Sequence, residues 1–358
     1  MGDDFSKKQL FFTRKLLEWH EKFNKRVMPW KYEKDPYKIW ISEIILQQTR
    51  VEQGLDYYNR FIKRFPNVQK LAAAKEEEVF KLWEGLGYYS RCRNLIATAQ
   101  IITKERKGIF PDTYEEILKL KGIGPYTAAA IASFAFQLPY AVVDGNVMRV
   151  LSRFFAIDTP IDSGSGKKTF NELAQSLLEK KKPGIYNQAI MDLGATVCKP
   201  RSPLCGQCLL SAECDAFKSN TMEDFPVKGK KLKIKERWFY YLIAEMNDKF
   251  YTRSRTEKDI WQQLQEFILI ESETQISDKK LLKSTAFKTI ITEKFKHIST
   301  SATIMQKLTH QHIHGTFIHL KLEKPISDDS YSLKSKAGLK KLAFPKLIAA
   351  HISEKKLF

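Results

Sequence analysis

The stretch Leu120-Lys121-Gly122-Ile123-Gly124-Pro125-Tyr126-Thr127 lies between two runs with helical patterning, Tyr114–Lys119 and Tyr126–Phe136. Two glycines permit a tight turn that leaves the backbone N–H groups bare, and proline suits the first turn of the helix that follows. Bare N–H groups at a helix N-terminus bind anions, which makes Gly122 and Gly124 candidates for holding a DNA phosphate. A plain αα-hairpin uses the same residues, and the turn by itself leaves both readings open.

Helical patterning extends outward on both sides. Phe12, Leu16, Trp19 and Phe23 recur at i, i+4, i+7 and i+11, one face of an amphipathic helix. Further helices are predicted near Tyr37–Leu46, Val51–Arg64, Glu76–Leu82, Ser90–Lys104, Asn146–Phe155, Lys167–Glu179 and Tyr186–Thr196. Prolines 36, 66, 111, 125, 139, 160 and 183 fall between these segments, where helices start and stop. The character changes after Phe217. A basic stretch, Lys228–Lys235, reads as a linker. Beyond it come β-type runs at Trp238–Ala244, Phe250–Arg253, Phe267–Ile270 and Thr316–Leu322, and a closing helix near Pro345–Ile352. The expected organisation is an all-α domain over residues 1–220, a basic linker over 221–235 and an α+β domain over 236–358.

Sixty Lys+Arg against 41 Asp+Glu give the 358-residue chain a formal net charge of +19. Residues 1–225 hold 34 basic and 27 acidic side chains, and residues 226–358 hold 26 and 14, so the excess is not a detachable tail. Such an excess points to a polyanion, because neutralising phosphates releases condensed counterions. Nucleic acid is the leading partner class. With 43% hydrophobic and 28% charged residues, the composition excludes wholesale disorder. No run approaches the roughly 20 apolar residues that a bilayer crossing needs. The N-terminus lacks the basic-then-apolar order of a secretory signal, so an intracellular protein is expected.

Four of the five cysteines form the series Cys198-x6-Cys205-x2-Cys208-x5-Cys214. In an intracellular chain clustered thiolates ligate a metal more often than they form disulfides. Zinc sites and iron–sulfur clusters both take four cysteines, and spacing leaves the two open. Cys92 stands apart as an ordinary cysteine.

Two carboxylates carry candidate chemistry. Glu43 sits in Ile39-Trp40-Ile41-Ser42-Glu43-Ile44-Ile45-Leu46, apolar on nearly every helical face. Desolvation there raises a carboxyl pKa and lets it hold a proton near neutrality, as a general acid requires. A surface glutamate pairing with Arg50 or Lys38 is the alternative. Asp144 follows Tyr140-Ala141-Val142-Val143 and precedes a helical run, which is the place of an N-cap. Hydrogen bonds to the charged form are expected to keep it ionised. A protonated Glu beside an ionised Asp suits N-glycosidic cleavage: the acid activates the leaving base and the anion stabilises an oxocarbenium-like sugar.

With these residues in place a family resemblance is legible. Trp40–Thr49, Trp83-Glu84-Gly85-Leu86-Gly87-Tyr88-Tyr89, Leu120–Thr127, Val143–Val147 and Asn187–Gly194 together resemble the MutY-type adenine DNA glycosylases, over roughly residues 8–217. The resemblance implies a helix–hairpin–helix glycosylase fold with a six-helix subdomain and an iron–sulfur subdomain, followed by a Nudix-like domain. It implies one [4Fe–4S] cluster on the four spaced cysteines and a monomer of the bacterial cytoplasm or nucleoid. Its substrate would be double-stranded DNA with adenine opposite 8-oxoguanine or guanine.

The resemblance also implies roles for single residues. Glu43 would protonate adenine, and Asp144, oriented by Asn146, would stabilise the cationic sugar. Tyr126 stands where bifunctional relatives such as endonuclease III carry a Schiff-base lysine, and a phenol cannot form an imine. Arg26, Trp30, Leu46 and Gln188 match the pocket for the extruded adenine, while Gln48, Thr49, Leu86 and Tyr88 match residues that enter the duplex. Leu308-Thr309-His310 stands for the family's Phe-Ser-His recognition loop; Thr309 keeps the hydroxyl and the phenylalanine is lost. His312, His314 and His319 read as exposed polar residues. The competing readings are an endonuclease III-like glycosylase/lyase and a non-catalytic iron–sulfur DNA-binding protein.

Overall fold

A computed structural model describes residues 2–229, 234–292 and 294–358. The chain forms two compact units, residues 1–72 with 97–231 and residues 73–96 with 232–358.

The first unit is helical. In α1 (Gly2–Phe23) Phe12, Leu16 and Trp19 are buried as the pattern requires, while Phe23, where the helix ends, is 56% exposed. In α2 (Pro36–Leu46) the Asp35 carboxylate accepts the Tyr37 N–H and Pro36 fills the first turn. This helix is buried from Tyr37 to Ile45 except at Lys38, as its largely apolar sequence requires. Next come α3 (Val51–Arg64), α4 (Val68–Ala72), α5 (Glu76–Trp83), α6 (Tyr89–Arg106) and α7 (Tyr114–Leu118). The helical series ends with α8 (Pro125–Phe136), α9 (Gly145–Phe154), α10 (Gly164–Leu177), α11 (Pro183–Thr196) and the short α12 (Asp215–Lys218). Of these, α5 and the first turns of α6 belong to the second unit.

Packing in the first unit follows side-chain size. Ala128, Ala129, Ala130 and Ala132 are buried in α8 and let its backbone approach α2 and α11 closely. The main core joins α1, α9, α10 and α11 through Phe12, Leu16, Leu151, Phe154, Phe170 and Leu193. The first part of the expected linker is tied to this unit: Ile161 N–H donates to the Val227 carbonyl and Gly229 N–H to the Asp162 carboxylate. Lys230–Lys233 lies outside the described residues.

The second unit is built on an eight-stranded sheet: β1 (Lys235–Met246), β2 (Lys249–Ser254), β3 (Gln265–Glu266), β4 (Ile268–Ser272), β5 (Phe295–Thr300), β6 (Ile304–Lys307), β7 (Gln311–Leu322) and β8 (Ser332–Ser335). The helices α13 (Asp278–Leu282), α14 (Thr285–Ile290), α15 (Lys336–Leu339) and α16 (Lys346–Lys355) complete it. The long strands β1 and β7 pair in parallel, from Lys235↔Gln311 to Glu245↔Lys321, whereas the other pairings are antiparallel. Residues 239–244 of β1 are buried without alternation, the pattern of a strand covered on both faces. Tyr240, Leu242 and Ala244 join one core with Ile318 and Leu320; Tyr241 stacks on Phe317 with centroids 5.3 Å apart. The four expected β runs fall in or beside β1, β2, β4 and β7. The missed strands β3, β5, β6 and β8 are short or solvent-facing and lack an apolar period. Among the described residues no helix is long and apolar enough to cross a membrane.

Candidate active site

A cavity of ≈ 530 Å³ in the first unit gathers Glu43, Tyr126, Asp144 and Asn146 with Arg26, Trp30, Leu46 and Gln188. Each catalytic candidate sits where its element forces it. Glu43 is carried into the interior by the largely apolar α2 and is 6% exposed. Tyr126 lies in the first turn of α8, directly after the hairpin, and its hydroxyl donates to Glu43 Oε2 at 2.7 Å. Lys38, offered as a surface partner for Glu43, pairs instead with Glu33 at 3.2 Å.

Asp144 caps α9, its Oδ1 accepting the Val147 N–H at 2.7 Å, while Asn146 Nδ2 donates to Oδ2 at 2.6 Å. Both carboxylate oxygens are thus fixed by the helix that they start. The electrostatics correct one expectation. Burial pushes the Asp144 carboxyl up from its ordinary range, against the lowering effect of the Val147 and Asn146 hydrogen bonds. Capping alone does not set its ionisation, because desolvation of the charged form outweighs it. Glu43 behaves as expected. Burial raises its pKa to about 7, the Tyr126 bond works against that, and the neighbouring Asp144 charge adds to it.

The rest of the cavity is a mix of anchors and apolar walls. Arg26 donates from Nη1 to Asp192 Oδ1 at 2.8 Å, and Asn24 Nδ2 donates to Oδ2 at 2.8 Å. Asp192 is fully buried and forms a second ion pair with Lys31 at 3.4 Å. Nothing in its spacing marks Asp192 as the counter-ion that holds Arg26; a buried carboxylate in an apolar helix is the one available signal. Trp30 serves both the core, edge-on to Tyr58 at 5.2 Å, and the cavity wall. Gln48 and Thr49 line the cavity where α2 ends, and Gln48 takes a left-handed backbone with φ 57°.

The hairpin forms as the glycines predict. Gly122 has φ 78°, and Gly124 is the N-cap of α8. Gly124 itself has an ordinary φ of −95°, and a Cβ there would meet no atom within 4 Å. Packing around position 124 therefore leaves room for a side chain.

Cys198, Cys205, Cys208 and Cys214 all line one small apolar cavity below α9 and α11. Burial pushes the Cys208 thiol up to about 12, so thiolates here need a compensating positive charge. Arg153 supplies part of it, donating from Nη1 towards Cys198 Sγ at 3.4 Å and to the Lys199 carbonyl at 2.6 Å. Four soft donors around an apolar cavity fit an iron–sulfur group. Arg149, which the sequence did not single out, donates to the carbonyls of Cys198 at 2.8 Å and Gly194 at 2.7 Å and to Asn146 Oδ1 at 2.8 Å. One buried guanidinium thereby joins the cysteine loop to the residue that orients Asp144.

The remaining candidates lie in the second unit. Leu86 is buried and Tyr88 is exposed, in the turn between α5 and α6. Thr309 and His310 are exposed in the β6–β7 connection, and Tyr88 Oη and Thr309 Oγ1 share a hydrogen bond of 2.5 Å. His312, His314 and His319 are not the exposed polar residues expected. Each is partly buried against a carboxylate: the first two on Glu236 at 2.8 and 2.6 Å, the third on Glu245 at 2.9 Å. Strand pairing causes this, since β1 and β7 run parallel with Glu236 opposite His312 and Glu245 close to His319.

A glycine hairpin leading into a helix whose first turn touches a buried carboxylic acid defines the class: residues 41–179 match the HhH-GPD superfamily of base excision DNA repair proteins. The chain belongs to the adenine DNA glycosylases. The adenine DNA glycosylase of Buchnera aphidicola from Baizongia pistaciae is 36% identical over 297 residues, covering 82% of this chain and 84% of that one. The one from the Acyrthosiphon pisum symbiont is 37% identical over 253 residues, 71% of this chain and 72% of that. A thermostable thymine-DNA glycosylase superposes with a TM-score of 0.55 at 29% identity, over 60% of this chain and 99% of that structure. The protein is thus a DNA-repair hydrolase of N-glycosyl bonds.

Proposed function

We propose that this enzyme excises adenine mispaired with 8-oxoguanine, or with guanine, and that it does so as a monofunctional hydrolase. The observation that carries the mechanism is the Tyr126–Glu43 hydrogen bond at 2.7 Å, to a buried carboxyl whose pKa burial raises to about 7. A glutamic acid poised near neutrality can protonate the departing base, and Tyr126 orients it. Arg26, held on Asp192, and Gln188 offer hydrogen bonds to an extruded adenine against the apolar faces of Trp30 and Leu46. As the glycosidic bond lengthens, positive charge grows on the sugar. A cation beside Asp144 favours its ionised form, which reverses the upward push of burial, and Asn146 keeps the carboxylate aimed. A water then completes the hydrolysis, with Glu43 as the base.

Strand cleavage through an imine needs an amine at Tyr126, and the phenol offers none. The duplex would be held by the N–H groups of Gly122 and Gly124 and entered by Gln48, Thr49, Leu86 and Tyr88. Thr309 and His310 in the β6–β7 connection would read the lesion. The sheet region at 236–358 takes the place of a Nudix-like recognition domain. The four cysteines would hold one [4Fe–4S] cluster, whose role is to fix the loop; the hydrolysis transfers no electrons.

The test is incubation of duplexes bearing adenine opposite 8-oxoguanine, guanine or thymine, followed by alkali. Adenine release with strand breaks only after alkali is expected, fastest opposite 8-oxoguanine. Breaks before alkali, or no preference among the three partners, would remove the reading.

A further inference from the structure

The turn that carries Leu86 and Tyr88 is held partly by its sequence neighbours and partly from far along the chain. Gly85, Gly87 and Tyr88 all lie in the left-handed region, with φ of 88°, 79° and 48°. For Tyr88 that conformation is strained and persists only when its surroundings over-determine it. Part of the restraint is local: Trp83 Nε1 donates to the Gly87 carbonyl at 3.1 Å, and Gly85 N–H donates to Tyr89 Oη at 3.1 Å.

The other part comes from residues more than 160 positions away in the same unit. The Phe344 N–H donates to Glu84 Oε1 at 2.8 Å. Lys81 Nζ donates to Glu84 Oε2 at 2.6 Å and to the Leu342 carbonyl at 3.0 Å. Beyond the turn, Arg93 Nη1 donates to the Gln262 carbonyl at 2.9 Å. Glu84 is the C-cap of α5, with ψ 128°, so it is the residue at which helix becomes turn. Its two carboxyl oxygens serve the two straps, Oε1 for Phe344 and Oε2 for Lys81.

We infer that Glu84 is a positioning residue: through it, residues 342–344 of the C-terminal region hold the 84–88 turn, with Leu86 buried, in the conformation that presents the exposed Tyr88 to the duplex. The inference rests on the proposed entry of those two residues into DNA. Its consequence is that the C-terminal region acts on extrusion of the base as well as on reading of the lesion. Glu84 touches neither the base nor the sugar and acts only through the turn.

The experiment uses the full chain and a duplex with 2-aminopurine next to the mispair, whose fluorescence rises when a wedge unstacks it. Glu84→Ala should lose more than about half of that rise and slow single-turnover excision about tenfold, opposite 8-oxoguanine and guanine alike, since a misplaced positioning element has effects of that order. Glu84→Gln keeps an acceptor for the Phe344 N–H and should restore most of both signals, a rescue that mere loss of stability would not show. A wild-type fluorescence rise in Glu84→Ala, or Glu84→Gln as impaired as Glu84→Ala, overturns the proposal. If Glu84→Ala does not fold, Lys81→Met removes the strap to Leu342 and takes its place, with a smaller loss expected and an unchanged rise again overturning it. Wild-type protein that gives the fluorescence rise but excises no adenine would refute the proposed function and leave the positioning role of Glu84 standing.

Discussion

Glu43 holds its proton up to about pH 7 because α2 buries it, and this ties both activity and stability to pH. In the proposed mechanism the acid form is the competent one, so single-turnover excision should fall as pH rises through 7. Glu43→Gln should lower excision by about 10²–10⁴ and abolish that pH dependence while duplex binding persists. Near-wild-type excision by Glu43→Gln would exclude the assignment. Stability follows the same sign. The folded pKa is raised above the unfolded value of 4.5, so the contribution is complete below 4.5 and is lost as pH climbs through about 7. Thermal melts should therefore show Glu43→Gln gaining on the wild type at pH 8 relative to pH 4.5. Glu43 was legible in the sequence because an ionisable residue among Ile39, Trp40, Ile41, Ile44 and Ile45 is conspicuous. Asp144 was legible as a cap but not in its ionisation, since burial depends on everything packed around α9.

At the scale of elements, the two hairpin glycines should fail differently. Gly122 has φ 78°, so Gly122→Ala should cost roughly 1 kcal/mol or more of stability, read as a lower Tm. Gly124 has an ordinary φ, so Gly124→Ala should cost only the difference between glycine and alanine at an N-cap, a smaller fall in Tm than Gly122→Ala, yet bind duplex DNA several-fold more weakly if its bare N–H holds a phosphate. Equal DNA affinity in Gly124→Ala and wild type would remove that anion site. The β6–β7 connection offers a second test. Thr309→Ala should lose about 1–3 kcal/mol of discrimination between 8-oxoguanine:adenine and guanine:adenine duplexes, by analogy with other base contacts. The salt dependence of binding should stay nearly unchanged because no phosphate contact is removed. The same substitution also frees Tyr88, so a loss of extrusion beyond the loss of discrimination would report the Tyr88–Thr309 bond.

At the scale of the molecule, four cysteines on one apolar cavity predict about four irons per chain and absorption near 400 nm, following the ligation expected of four thiolates. A colourless zinc protein with full activity would contradict this. Removal of iron should also loosen Arg149 and with it Asn146, seen as a lower Tm and slower excision together. Helix positions, the hairpin, both carboxylates and the cysteine series were all readable from residue order, because each depends on neighbours within a few turns of chain. Period, caps and spacing are local properties. Three features were not readable: that Asp192 anchors Arg26, that Arg149 joins the cysteine loop to Asn146, and that residues 73–96 pack with 232–358. Each brings together side chains far apart in sequence, and such a pairing is chosen by which surfaces bury one another, a choice that no single stretch encodes. The sequence by itself determined where two carboxyl groups stand, one inside a largely apolar helix and one at a helix start. Only the tertiary structure decided how far burial moves each pKa and which distant residues hold the Leu86–Tyr88 turn, because desolvation and long-range hydrogen bonds exist only once the chain has folded.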